Sequence, residues 1–249
     1  MRHLLIVMFL LAGCGARSDR LVESNRGDVI FLVPGVGGAM PQYQALIDGL
    51  HDAQIARPVQ IVRWGAPTML FFMNFNNVGI HESAEKSFAQ RVSKWRAEHP
   101  TAHIDIIAHS AGCGVTLGAL QRLSSDEHVE TIVLLAPSVS PSYPLDRATS
   151  HIDGTLHVFV SERDKTFLEW RTGTFGTYDN IKTPAAGNRG FLVLPTGGVQ
   201  HRYDPHWEAI GNDGGHFGTL ARKFARDIIA PLLSSPAPAP SQSSAANPR

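Results

Sequence analysis

Cysteine is scarce in this sequence. Cys14 and Cys113 are the only two among 249 residues, and the first lies in a segment built like a leader, so no internal disulfide framework is expected. An excess of charge is also missing. Lys and Arg total 22 against 22 for Asp and Glu, which leaves no global field to draw the chain onto nucleic acid. Nor is there a long apolar run: Leu4 to Leu11 would rise about 12 Å as a helix against a hydrocarbon core of roughly 30 Å, too short for a permanent span. No internal repeat is visible. What is present, 43% hydrophobic residues over this length, suits one globular domain and excludes a fibrous or wholly disordered chain.

The short apolar run has a different meaning. Arg2 and His3 precede it and small residues follow it, which is the build of a secretion signal. Leu11-Ala12-Gly13-Cys14 resembles a bacterial lipoprotein box. That resemblance implies cleavage before Cys14, acylation of its thiol and new amino group, and an exported protein held to a membrane of the cell envelope by lipid. The expected organisation is a signal over residues 1–13, a lipidated tether over 14–25, a folded body over 26–233, and a Pro/Ala/Ser tail from Ser234 to Arg249.

Within the body, short β-branched or apolar runs alternate with longer helical patterns. Strands are expected at Val29 to Val33, Val59 to Val62, Ile104 to Ile107, Thr131 to Leu135, Leu156 to Val160 and Phe191 to Leu194. Helices are expected at Gln42 to Ala53, Glu82 to Glu98, Ala111 to Ser124 and His216 to Leu233. Pro34 and Pro137 close strands, and Pro100 closes a helix. This order predicts an α/β fold: a three-layer sandwich with helices on both faces of a mostly parallel sheet of about six strands.

The stretch from His103 carries the chemistry. A buried strand runs into Ala108-His109-Ser110-Ala111-Gly112 and then a helix, which sets Ser110 at a sharp strand-to-helix turn with small residues two positions to either side. A serine there is exposed to substrate, and the amides that open the following helix face the same spot. The pentapeptide resembles the G-x-S-x-G motif of the α/β-hydrolase fold family, with Ala108 in place of the first glycine.

A serine hydroxyl needs a base to remove its proton and a carboxylate to orient that base. In the family's chain order both follow the serine, the acid first. Asp164, just past the strand TLHVFVS, stands where the resemblance places the acid, with Glu162 as the alternative. His201, His206 and His216 follow the final expected strand. His216 is favoured, with His206 next, because Asn212-Asp213-Gly214-Gly215 forms a flexible loop ahead of it and a helix is expected to start there. The glycine-rich turn Pro34-Gly35-Val36-Gly37-Gly38 follows the first strand. The resemblance makes the amides of Val36 and Ala111 the oxyanion donors, with Pro34 standing where the family more often has histidine.

Other readings fit less well. Met40 stands where a dinucleotide fingerprint needs its third glycine, and the metal-ligand spacings of His201, Asp204 and His206 are wrong, so no cofactor and no metal are expected. Gly112, Gly114 and Gly118 read as close packing of the elbow helix on the sheet, Cys113 as a buried small hydrophobe, and His109 as facing away from the chemistry. The run Met69 to Phe75 would line an acyl or aromatic pocket, touch the membrane, or belong to a core-facing helix. Pro137 to Asp153 is too short for a large cap domain, which favours an open site. These observations lead to a lipid-anchored serine hydrolase cleaving small-molecule or lipid-like carboxylic esters. A non-catalytic binding or scaffolding lipoprotein is the alternative from a different class.

Overall fold

A computed structural model describes residues 27–38, 40–66, 70 and 73–233. The expected leader with Cys14, the tether to residue 25, the tail from Ser234, and Met69, Phe71 and Phe72 all lie outside the described residues. The elements that frame the site are β1 (Val29–Val33), α1 (Pro41–Asp52), β2 (Val59–Ile61), α2 (Val78–Glu98), β3 (Ile104–His109), α3 (Ala111–Leu120), β4 (Ile132–Leu135), β5 (Leu156–Val160) and β6 (Gly198–Arg202). The six strands form one parallel sheet in the order β2-β1-β3-β4-β5-β6.

Strand periodicity sorts the core into two layers. Val29, Phe31 and Val33 of β1 join Ile104, Ile106 and Ala108 of β3 on the face covered by α2 and α3, where Phe88, Val92 and Leu117 pack on them. Ile30 and Leu32 point to the other face and meet Leu46 and Leu50 of α1 and Phe224 and Ile229 near the C-terminus. Each such side chain, fully buried, contributes about 1.5–3 kcal/mol. The fold is therefore the expected α/β sandwich. Among the described residues no helix is long and apolar enough to cross a membrane.

Several elements differ from expectation. The sixth strand is Gly198–Arg202, not Phe191 to Leu194: the latter follow Gly190, whose φ is +91°, and Leu192 and Val193 are 76% and 74% exposed. Helix α2 starts at Val78, four residues before Glu82, because the Asn77 side chain accepts the Ile80 N–H and caps it there. Helix α3 stops at Leu120. The segment from His216 is not one helix: a 3₁₀ turn (Gly218–Leu220) is broken at Ala221, and helix resumes at Arg222 with a π-helical turn over Ala225–Ile229. The glycines of α3 have mixed partners. A Cβ on Gly112 would strike the Val33 carbonyl, but on Gly114 and Gly118 it would meet Tyr178 and Glu85 rather than the sheet.

Candidate active site

The site begins with a strained residue. Ser110, the N-cap of α3, has φ 55° and ψ −125°, a conformation that costs an L-residue of order 1–3 kcal/mol. The surroundings hold it there: its N–H donates to the Leu135 carbonyl, and its own carbonyl accepts from Cys113 and Ser138. The turn also has to pass close to β1. A Cβ on Gly112 would lie 2.3 Å from the Val33 oxygen, and one on Gly35 would lie 3.0 Å from the Ser110 Cβ. Ala108, where the family has glycine, is accommodated in the core without exposure.

The structure brings Ser110, His216 and Asp164 together. His216 Nε2 is 3.0 Å from Ser110 Oγ, and His216 Nδ1 is 2.5 Å from Asp164 Oδ2. With Asp164 ionised, Nδ1 must carry the proton it donates, which leaves Nε2 as a bare acceptor facing the serine hydroxyl. All three side chains are buried. The other carboxylate oxygen of Asp164 accepts the N–H groups of Phe167 and Leu168, so the helical turn after β5 fixes the acid. The Asn188 amide donates to the Asp164 carbonyl, and Ser161 Oγ donates to the Gly214 carbonyl, tying the end of β5 to the loop that carries His216. The Phe167 ring stacks on the His216 imidazole at 4.6 Å.

The other candidates lie elsewhere. Glu162 is exposed and pairs with Arg202, His206 is exposed on Asp204, and His201 meets His157 at 3.0 Å. Among the described residues no group of three His, Cys, Asp or Glu could hold a metal ion. Cys113 is buried, and that burial pushes its thiol well above the usual range.

Val36 lines the cavity at Ser110, and Ala111 opens α3 beside it. That cavity has a volume of about 160 Å³; Met40, Phe75, Phe167 and Phe217 give it apolar walls. Phe75 is thus the one described residue of the aromatic run that reaches the site, whereas Leu70 and Met73 are exposed. Ser110 itself is 5% exposed, at the floor of this cavity.

Sequence reasoning missed a buried chain at the site, in which His109, expected to face away from the chemistry, lines the Ser110 cavity and reaches the backbone of His216. Gly35 N–H donates to Tyr43 Oη (2.8 Å), the Tyr43 hydroxyl lies 2.9 Å from His109 Nδ1, and His109 Nε2 lies 2.8 Å from the His216 carbonyl. A carbonyl only accepts, so His109 carries its proton on Nε2, and Tyr43 must then donate to Nδ1. Burial, reinforced by the neighbouring His216, lowers the His109 pKa to about 3 and keeps the ring neutral. The glycine turn after β1 and the backbone of His216 are therefore joined by three consecutive hydrogen bonds. His109 stood next to Ser110 in the sequence as a signal; Tyr43 had none.

Known structures with TM-scores of 0.50 and 0.51 share this architecture. Lipase B from Aspergillus fumigatus superposes with a TM-score of 0.51 at 14% identity, over 85% of this chain and 53% of that one. A lipase-esterase related protein from Clostridium acetobutylicum superposes with a TM-score of 0.50 at 10% identity, over 85% of this chain and 97% of that one. Phospholipase PlaB from Legionella pneumophila gives a TM-score of 0.39 at 12% identity, over 57% of this chain and 39% of that one. The chain thus spans about half or less of two of these three proteins. No curated protein matches the sequence. A family model does match, over residues 42–169, a span that includes Ser110 and Asp164 and stops short of His216. By that match the chain belongs to the α/β-hydrolase family of unknown function DUF900.

Proposed function

We propose that the protein is a serine hydrolase of carboxylic esters, exported and held in the cell envelope by lipid at Cys14. The observation that carries the catalytic part is the alignment of Ser110 Oγ, His216 and Asp164 at 3.0 and 2.5 Å, within reach for proton transfer. His216 Nε2 takes the Ser110 proton as Oγ attacks the acyl carbon, and Asp164 stabilises the imidazolium. The amides of Val36 and Ala111 take the oxyanion. Collapse expels the alcohol, which receives its proton from His216. Water, deprotonated by the same ring, then releases the acid from Ser110. No cofactor enters this sequence.

The apolar cavity at Ser110, small beside the roughly 300–1,000 Å³ of ordinary ligand sites, favours a compact acyl group there. The test is hydrolysis of a p-nitrophenyl ester series from acetate to dodecanoate. The expected result is a maximum of kcat/KM at short chains and a loss of about 10³-fold or more in Ser110→Ala. Absence of turnover by folded protein across the series would return the reading to a non-catalytic binding lipoprotein.

A further inference from the structure

A second cavity, about 660 Å³ and within the range of ligand sites, opens where β2 ends. One wall is the chain from Val62 to Ala66; the other is a single face of α2 that presents Ile80, Ser83, Ala84, Ser87, Phe88 and Arg91 at helical spacing. Its charge is one-sided. Arg63 and Arg91 line it, and no carboxylate does among the described residues.

This is unusual for the molecule. Apart from Arg147, every other arginine with a described side chain is ion-paired: Arg57 with Asp105, Arg96 with Glu130, Arg122 with Glu85, Arg163 with Glu208, Arg189 with Glu169, Arg202 with Glu162, Arg222 with Asp52 and Arg226 with Asp227. In a chain of zero formal charge, two unmatched guanidinium groups therefore share one cavity. Arg91 is positioned without being neutralised: it donates to Gln60 Oε1 at 2.7 Å and sits 5.4 Å from the centre of the Phe31 ring.

We propose that this cavity binds the phosphoryl group of a phosphate ester, so that, on the hydrolase reading above, the substrate is an acyl ester that also bears a phosphate. Guanidinium groups match phosphate oxygens in bidentate geometry, and the hydroxyls of Ser83 and Ser87 add donors on the same face. The volume exceeds what a bare ion needs, and Trp64 and Ile80 offer apolar surface to an organic body. The site is coupled to the reacting centre. Trp64 Nε1 donates to the Pro34 carbonyl, and Asn74 bridges the Ala66 N–H to the Val36 carbonyl. In the sheet β2 is two strands from β3, a lateral spacing of roughly 10 Å between the strand that borders this cavity and the strand that leads into Ser110.

The test uses the full chain and a matched pair of substrates, monobutyryl glycerol and monobutyryl glycerol 3-phosphate, together with calorimetric titration of glycerol 3-phosphate. The expected result is a kcat/KM at least tenfold higher for the phosphorylated ester. Arg63→Gln and Arg91→Gln remove that preference through KM and leave the neutral ester within twofold, and Arg147→Gln changes neither. Glycerol 3-phosphate binds the wild type and not the two cavity variants. Equal kcat/KM for the two esters together with no titratable binding overturns the proposal while leaving the hydrolase reading intact. Binding that depends on Arg63 and Arg91 without hydrolysis of either ester keeps the site and overturns the hydrolase reading. Flotation of Cys14→Ser protein, which has no site for the proposed anchor, with phosphatidylglycerol vesicles identifies the source: co-flotation lost when Arg63→Gln is added indicates a lipid headgroup, and binding of the soluble ester alone indicates a free phosphate ester.

Discussion

At the scale of single residues, the account rests on groups with one proton arrangement each. Tyr43 shows why this matters. Its hydroxyl accepts from Gly35 and donates to His109, so Tyr43→Phe leaves a buried N–H and a buried ring nitrogen without partners. The expected cost is about 1–3 kcal/mol, seen as a lower midpoint in urea unfolding at constant m-value. Because the chain ends on the His216 carbonyl, the same variant should lower kcat more than it raises KM.

His109 makes a second prediction through pH. Its folded pKa is lowered to about 3 from an ordinary 6.5, so between these values the unfolded chain binds a proton that the native one refuses. Its stabilisation is therefore full above about pH 6.5 and is lost as the pH falls. His157, lowered to about 4 by burial and by His201, acts in the same direction. Thermal unfolding of the wild type should show Tm falling from pH 7 to pH 4, and His109→Gln should show a shallower fall. An equal slope in the two proteins would contradict the assignment of a neutral, buried His109.

At this scale the three candidate site residues were legible from the sequence. Ser110 was marked by its small neighbours, Asp164 by its place after a strand, and His216 by the loop before it. Tyr43 was not, because its role comes from contact with a residue 66 positions away.

At the scale of elements, the turn between β3 and α3 has the least tolerance. A methyl group on Gly112 would meet backbone oxygens of Val33 and Pro34, which cannot withdraw without moving β1. Gly112→Ala should therefore cost at least the 1–3 kcal/mol or so typical of overpacking. Gly173 is the control. It lies in a helical turn (Thr172–Phe175), nothing stands within 4 Å of its added Cβ, and Gly173→Ala should gain about 0.5–1 kcal/mol. Urea unfolding of both variants measures the contrast.

The elements that sequence patterning located well were the buried ones: β1 and β4 are continuous apolar runs, and β3 and β5 are interrupted only by Asp105, His109 and His157. It failed at one edge of the sheet. β6 pairs only with β5 and carries Gln200, His201 and Arg202, so its composition is that of an edge rather than a core strand. Phe191 to Leu194 was the more apolar run nearby, and only Phe191 is buried there. The break at Ala221 was hidden for a related reason: Phe217, Leu220 and Phe224 keep helical spacing although the backbone between them does not stay helical.

At the scale of the whole molecule, the parallel sheet places the groups proposed for ester cleavage at the carboxyl ends of its strands. The turn after β1 supplies Val36, the elbow after β3 supplies Ser110, the segment after β5 supplies Asp164, and the loop beyond β6 supplies His216. Fold class and strand order were thus enough to gather residues scattered over 181 positions, from Val36 to His216. The anchor proposed at Cys14 makes a prediction of its own. Full-length protein expressed in a bacterium that processes lipoproteins should incorporate radiolabelled palmitate and partition into the detergent phase, and Cys14→Ser should do neither.

The central claim is that Ser110 is an activated nucleophile. Treating the folded protein with a fluorophosphonate and mapping the modified peptide by mass spectrometry tests it most directly. The account predicts one phosphonylated residue, Ser110, with labelling lost in Ser110→Ala and reduced by at least 10²-fold in rate in His216→Ala. Labelling that is absent from the folded wild type, falls on another serine, or proceeds equally fast without His216 would contradict it.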